Sequence, residues 1–252
     1  MKWFISGLAT ATALVSGLAY ARYLQRRREM WRERLTQAIP VNSRWWKDYH
    51  KRDGELLYVA IGDSTAQGIG ASRPGRSYVG ELAKHIRTHT GRTVRVANLG
   101  VSGSTVRGAL IDQLPKLRKL EPDIVTVSIG ANNMADFNAE KFESDLRRLF
   151  DGLPAHAIVA DLPSFYFLPA EKLVRIGNAI VRAVAAEHGH TVVPLHARMK
   201  RQGPWGVSTQ FAGDLFHPND RGYRVWASAF LPEIDRRFAP GSASSSRSTP
   251  PA

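Results

Sequence analysis

Four short segments of this chain hold residues whose types and spacing suit acyl-transfer chemistry. Ser64 stands in Gly62-Asp63-Ser64-Thr65-Ala66-Gln67-Gly68, directly after a short apolar run. A serine at the turn from a strand into a helix projects its hydroxyl at the sheet edge, where the helix N-terminus favours developing negative charge. Taken alone, such a serine reads as a helix N-cap. Asp214 and His217 stand three apart in Asp214-Leu215-Phe216-His217-Pro218. In one loop, that spacing lets a carboxylate reach one ring nitrogen while the other faces a nucleophile, the orienting logic of a Ser-His-Asp triad. Alone, the pair also reads as a local hydrogen bond or as two metal ligands. Gly103 closes Asn98-Leu99-Gly100-Val101-Ser102-Gly103, and Asn132 lies in Gly130-Ala131-Asn132-Asn133. A glycine N–H, an asparagine amide and the Ser64 N–H together make three donors for an oxyanion. Either of the first two, taken alone, is a turn residue.

These segments need elements to position them. Five short apolar runs carry β-branched residues: Leu56–Ile61, Val94–Leu99, Ile124–Ile129, Ala157–Ala160 and Thr191–Leu195. Helix-like patterns separate or follow them, near Tyr78–Thr88, Thr105–Leu120, Ala139–Phe150, Glu171–His188 and Gly222–Phe238. Continuous apolar strands alternating with helices imply a parallel sheet covered on both faces. Right-handed crossovers then give an α/β fold: a three-layer α/β/α sandwich around a central five-stranded parallel sheet. Sites in such folds collect at the carboxyl ends of the strands. Three of the four segments directly follow a strand, and the fourth precedes the last helix.

All four segments, in this order, resemble the SGNH (GDSL-type) hydrolase family, whose fold is flavodoxin-like. The resemblance covers about residues 55–237. It implies a serine esterase with Ser64 as nucleophile, His217 as base and Asp214 as the acid that orients it. The oxyanion hole would comprise Ser64, Gly103 and Asn132. It implies no metal and no organic cofactor. Asn133 replaces the family's usual Asp, and Thr65 stands where Leu is typical. Asp63 reads as a structural partner of nearby backbone. The remaining histidines, including His85, His89, His156, His188, His190 and His196, read as surface or structural, with no metal-ligand spacing beside a carboxylate on one face.

Several substrates fit: lipid, lysophospholipid or short acyl esters, and O-acetylated carbohydrate. Phe165, Tyr166, Phe167 and Leu168 favour an acyl chain if they line the site; packing in the core is their other reading. A flavodoxin-like nucleotide- or phosphate-binding module is the alternative of another class. The loop after the first strand, however, lacks the P-loop lysine and the Gly-x-Gly-x-x-Gly spacing, and that reading leaves Asp214, His217 and Asn132 without roles. A catalytically silent tethered scaffold is a third reading.

The chain has 252 residues, with 43% hydrophobic and 23% charged residues, the composition of a globular domain. This excludes a disordered chain and a multi-span membrane protein. With no cysteine, thiolate catalysis and Cys-ligated metal sites are excluded. The formal charge is +13, of which residues 1–54 hold about half. No nucleic-acid-binding motif accompanies it.

The uncharged run Trp3–Ala21 is long enough, as a helix of about 28 Å, to span a bilayer core of about 30 Å. Arg22, Arg26, Arg27, Arg28, Arg32 and Arg34 follow, and their charge favours an uncleaved anchor with the enzyme on the cytoplasmic side. Ala19-Tyr20-Ala21 offers the competing reading of a signal-peptidase site, with secretion after cleavage. The expected organisation is an anchor or signal segment over 1–21, a basic stalk over 22–54, the hydrolase domain over 55–239 and a disordered tail over 240–252. Trp31, Trp45 and Trp46 fit either a membrane interface or packing on the domain.

Overall fold

Strand β1 (Leu56–Gly62) has no charged side chain, and all seven of its residues are buried. That is the pattern of a strand covered on both faces. The sheet built around it is parallel throughout, in the order β2-β1-β3-β4-β5, with β2 (Val94–Asn98), β3 (Ile124–Ser128), β4 (Ile158–Ala160) and β5 (Thr191–Val193). Val59 pairs with Ala97 on one side and with Val125 on the other. The chain leaves β1 for one neighbour and returns on the opposite side. The carboxyl end of β1 is therefore a topological switch point, where α/β sheets open a crevice.

The coordinates are a computed structural model that describes residues 2–166 and 168–239, without the side chains of residues 2–16 and 168. The tail expected over 240–252 and Phe167 lie outside the described residues. The helices are α1 (Lys2–His50), α2 (Ser64–Gln67), α3 (Tyr78–Thr90), α4 (Val106–Gly108), α5 (Leu114–Leu117), α6 (Ala139–Phe150), α7 (Leu168–Glu187), α8 (Leu195–Lys200), α9 (Gly203–Thr209), α10 (Asp220–Ala227) and α11 (Leu231–Arg237). One layer packs Val106, Leu114, Phe142, Leu146, Val174 and Val181 from α4 to α7 against the sheet. The other packs Tyr78, Leu82, Leu195, Tyr223, Trp226 and Ile234, together with Trp46 of α1.

The three-layer sandwich and its five parallel strands match the sequence expectation. Two helices expected to be continuous are broken, and proline accounts for both. Pro115 has no N–H for the carbonyl of Ile111, and the stretch Ala109–Gln113 widens into a π turn before α5. Pro232 likewise separates α10 from α11.

Helix α1 continues through Pro40 and lies along the domain in its second half. Leu35, Asn42 and Trp46 fall on one face at i, i+7 and i+11, and all three are buried. Of the two readings of Trp45 and Trp46, the packing one holds for Trp46, which is 3% exposed. Trp45 meets it edge-on, with ring centroids 4.7 Å apart. Most of the run Trp3–Ala21 lies where side chains are not described. Among the described residues no helix is long and apolar enough to cross a membrane.

Trp46 fills a core site and donates a hydrogen bond, so Trp46→Ala is expected to cost about 3–5 kcal/mol. Chemical denaturation monitored by circular dichroism measures this; a loss below about 1 kcal/mol would mean that α1 is only loosely docked.

Candidate active site

The turn after β1 is organised around buried polar groups that all find partners. Asp63 caps α2: its Oδ1 accepts from Thr65 N at 2.8 Å and from Thr65 Oγ1 at 2.7 Å. Thr65, in the position where leucine is typical, thus supplies a hydroxyl to a carboxylate only 3% exposed. Gln113 turns inward and holds Gly62 from both sides. Its Oε1 accepts from Gly62 N at 3.0 Å, and its Nε2 donates to Gly62 O at 2.8 Å. Asn98 donates to Ala66 O at 2.7 Å, and Gln67 donates to Gly100 O at 3.0 Å. Ser64 is left at the first position of α2 with its side chain facing His217.

His217 Nε2 lies 3.0 Å from Ser64 Oγ, and His217 Nδ1 lies 2.6 Å from Asp214 Oδ2. The neutral tautomer with its proton on Nδ1 satisfies both contacts: Nδ1–H donates to Asp214, and Nε2 accepts from the serine hydroxyl. The second oxygen of Asp214 accepts from the backbone N–H groups of Phe216 and His217, both at 3.1 Å. This closed turn places Leu215 at φ 58°, an uncommon conformation for a leucine. Gly70, at φ 95°, lets the chain after α2 approach this loop. A Cβ there would meet Pro218 O at 2.5 Å and His217 Cβ at 2.9 Å.

Both carboxylates are almost fully buried, and their titration moves in opposite directions. Burial pushes Asp63 up from its ordinary 3.8, against the hydrogen bonds from Thr65 and the charge of His217. Burial also opposes ionisation of Asp214. There, the hydrogen bond and charge of His217 and the two backbone donors outweigh it and hold the carboxyl below 3.8.

Of the expected oxyanion donors, Ser64 and Asn132 line one small cavity with His217. Asn132 Nδ2 donates to Ser104 O at 2.9 Å and lies 3.4 Å from Asp63 Oδ2. Gly103, at φ 77°, is exposed beside the site rather than part of that lining, and its N–H has no partner among the described residues. Asn133 takes up the acceptor role that its amide oxygen allows, receiving Val106 N at 3.0 Å at the start of α4. The cavity is about 50 Å³, with Phe165, Met199, Phe211, Phe216 and Trp226 as its main apolar walls. No group of three or more metal-capable side chains occurs at this site among the described residues.

Sequence reasoning missed several supporting residues. Gln113 gave no signal, being one of several polar residues in the run Thr105–Leu120. Asn42 and Trp46 both donate to the carbonyl of Gln67, at 3.0 and 3.1 Å, bracing α2 from behind. Their i, i+4 spacing placed them on one helix face but could not say what that face covers. Trp31 packs over Gly213, just before Asp214; a Cβ on Gly213 would come within 2.1 Å of the indole. Helix α1 therefore touches both the serine turn and the Asp214–His217 loop.

Comparison with known proteins bears on the family and the fold. The profile of the GDSL-like Lipase/Acylhydrolase family matches residues 60–225. An acetylxylan esterase from Geobacillus stearothermophilus is 26% identical over 208 residues, 72% of this chain and 94% of that protein. Among solved structures, an alpha/beta hydrolase enzyme from the metagenome of Lake Arreo, Spain, superposes with a TM-score of 0.61 at 26% identity, covering 73% of this chain and 96% of that one. A psychrotrophic esterase from Pseudoalteromonas superposes with a TM-score of 0.57 at 19% identity, covering 72% and 98%.

The direction of the Asp63 shift gives a test. An acid whose pKa is raised by folding binds its proton more tightly in the folded state, so stability falls as pH rises from 3.8 through the folded value. Asp63→Asn keeps an acceptor for Thr65 and abolishes that fall. The melting temperature of the variant relative to the parent is expected to increase with pH across this window, while esterase activity drops. A difference that stays constant with pH would contradict a buried ionised Asp63.

Proposed function

This chain belongs to the GDSL-like lipase/acylhydrolase family and is a carboxylic ester hydrolase, and on that premise we propose that it cleaves short acyl esters through Ser64, His217 and Asp214. One observation carries the reading: the hydrogen-bonded chain from Asp214 through His217 to Ser64 ends at an apolar cavity of only about 50 Å³. On the scale where one water needs about 10–15 Å³, this is room for about three or four non-hydrogen atoms, the size of an acetyl group.

In this mechanism Ser64 Oγ attacks the ester carbonyl as His217 Nε2 takes its proton. Asp214 keeps the imidazole oriented and stabilises the imidazolium. The Ser64 and Gly103 N–H groups and the Asn132 amide stabilise the oxyanion of the tetrahedral intermediate. Collapse expels the alcohol, which takes the proton from His217, and leaves an acyl-enzyme. Water then attacks the acyl group with His217 again as base, and collapse breaks the bond to Ser64 Oγ, which takes the proton back from His217 as the carboxylic acid leaves. No step uses a metal or an organic cofactor.

A second reading, a carbohydrate O-acetyl esterase, is supported by the relative named as an acetylxylan esterase. It shares the acyl pocket and differs only in the alcohol. The exposed Leu215 and Phe216 at the mouth offer apolar surface to either kind of alcohol. We also infer that the N-terminal segment tethers the enzyme to a membrane, on the support of the uncharged run Trp3–Ala21 and the arginines after it.

Ser64→Ala is expected to lower kcat at least about 10³-fold with the fold intact, and Asn132→Ala about 10²–10³-fold with little change in KM. Across p-nitrophenyl esters, acetate is expected to be the best substrate and octanoate a poor one. Preference for octanoate would remove the short-acyl reading while leaving Ser64 in place. Release of acetate from acetylated xylo-oligosaccharide at a rate above that from simple acetate esters would select the carbohydrate reading.

The full chain is expected to resist carbonate extraction from membranes, whereas a chain beginning at Arg22 is expected to be soluble and active. Recovery of the full chain in the soluble fraction would overturn the tether. A membrane-released chain beginning at Arg22 would do so in favour of cleavage.

A further inference from the structure

We propose a second, non-catalytic site: a divalent-cation site, zinc foremost, formed by His85, His89 and Asp235. It lies apart from the serine cavity, between α3 and α11. The two histidines are four residues apart and share a face of α3. Asp235, 150 residues further along than His85, arrives on α11. That long-range approach is why the sequence showed no carboxylate beside these histidines, and the structure corrects that reading.

Both imidazoles turn a ring nitrogen to the same carboxylate oxygen. His85 Nε2 lies 2.6 Å and His89 Nδ1 3.7 Å from Asp235 Oδ1. The rings lie nearly parallel, 16° apart, with centroids 5.7 Å from each other. The three ligand atoms all lie within 4.8 Å of one another. Tetrahedral zinc with bonds of about 2.0–2.1 Å spaces its ligand atoms about 3.4 Å apart. The cation would take the place of the proton now shared by His85 and Asp235, and the three side chains would adjust by about 1 Å or less. All three are partly exposed, at 29%, 38% and 44%, so this adjustment disturbs no packed core and leaves a fourth position for water.

The chemistry of the set separates it from the other histidines. Among the described residues, the ion pairs of Asp235 are with these two histidines alone, with no lysine or arginine competing for the carboxylate. His188 and His190 also stack on each other, but each spends a ring nitrogen on a backbone carbonyl, of Val184 and Phe150. His196 meets Glu171 as a single histidine, and Lys200 shares that carboxylate. Two nitrogens and one oxygen, with no Lys or Arg ion-paired to the carboxylate among the described residues, suit a borderline metal such as zinc better than calcium or magnesium. Bound there, zinc would fasten the last helix of the domain to α3.

Titration of the purified full-length chain with zinc chloride, by calorimetry in a non-chelating buffer, tests this. One equivalent is expected to bind, with affinity reduced at least about tenfold in His85→Gln, in His89→Gln and in Asp235→Asn. At a hundredfold excess over its dissociation constant, zinc is expected to raise the melting temperature by about 5 °C in the parent and not in the variants. Esterase activity of the three variants without metal is expected to match the parent, which separates this site from Ser64 and His217. Three results would overturn the proposal: no binding at submillimolar zinc, one-equivalent binding that survives in His85→Gln/His89→Gln, or zinc inhibition of the esterase that persists in that double variant, which would place the ion at His217.

Discussion

The carboxyl end of β1 must expose one hydroxyl while burying nearly everything around it, and much of the molecule is arranged to meet that constraint. Asp63, Ser64, Thr65 and Gln67 are all buried, and a buried polar group without a partner costs about 1–3 kcal/mol. The partners come from across the fold. Thr65 answers Asp63, Gln113 answers both backbone groups of Gly62, Asn98 answers Ala66, and Asn42 and Trp46 answer Gln67. These contacts draw on α1, β2 and the π turn before α5. Losing any one loosens the element that carries the serine.

The sheet order explains why the site forms here. With β2 and β3 on opposite sides of β1, the loops after β1, β2 and β3 open around one crevice. They carry Ser64, Gly103 and Asn132. The last loop before α10 then needs only to reach across it. It does so through a turn closed by Asp214 on its own backbone, with the strained Leu215 at its corner and Gly70 leaving room for His217. The two carboxylates of the site therefore have distinct tasks. Asp214 is held ionised by its histidine, and Asp63 is a buried cap whose charge is costly.

Helix α1 extends this scaffold beyond the residues matched by the family profile, which begin at position 60. It binds the turn that carries Ser64 through Gln67 and the loop that carries His217 through Trp31 at Gly213. A segment that composition marks as basic and polar thus also serves as a wall of the catalytic domain.

Sequence alone determined the parts governed by local chemistry and periodicity. Strands β1, β3 and β4 were legible because a strand buried on both faces is largely apolar, the edge strands β2 and β5 from their short β-branched runs, and Ala139–Phe150 from its amphipathic period. Ser64, Asn132, Asp214 and His217 stood out because their types, the first two after strands and the last two in the loop before the last helix, suit one reaction. The breaks at Pro115 and Pro232 were less legible, because proline near a helix start is as common as proline at a break. What only the tertiary structure decided is whatever depends on distant segments meeting. Asp-x-x-His spacing brings Asp214 to His217, but the 3.0 Å contact with Ser64 spans 153 residues. Gln113, Asn42 and Trp46 become partners of the serine turn only through layer packing, and Asp235 meets His85 and His89 only because α11 lies on α3. A side chain's local pattern states which face it occupies; what that face meets is set by the packing of the whole sheet and its two layers.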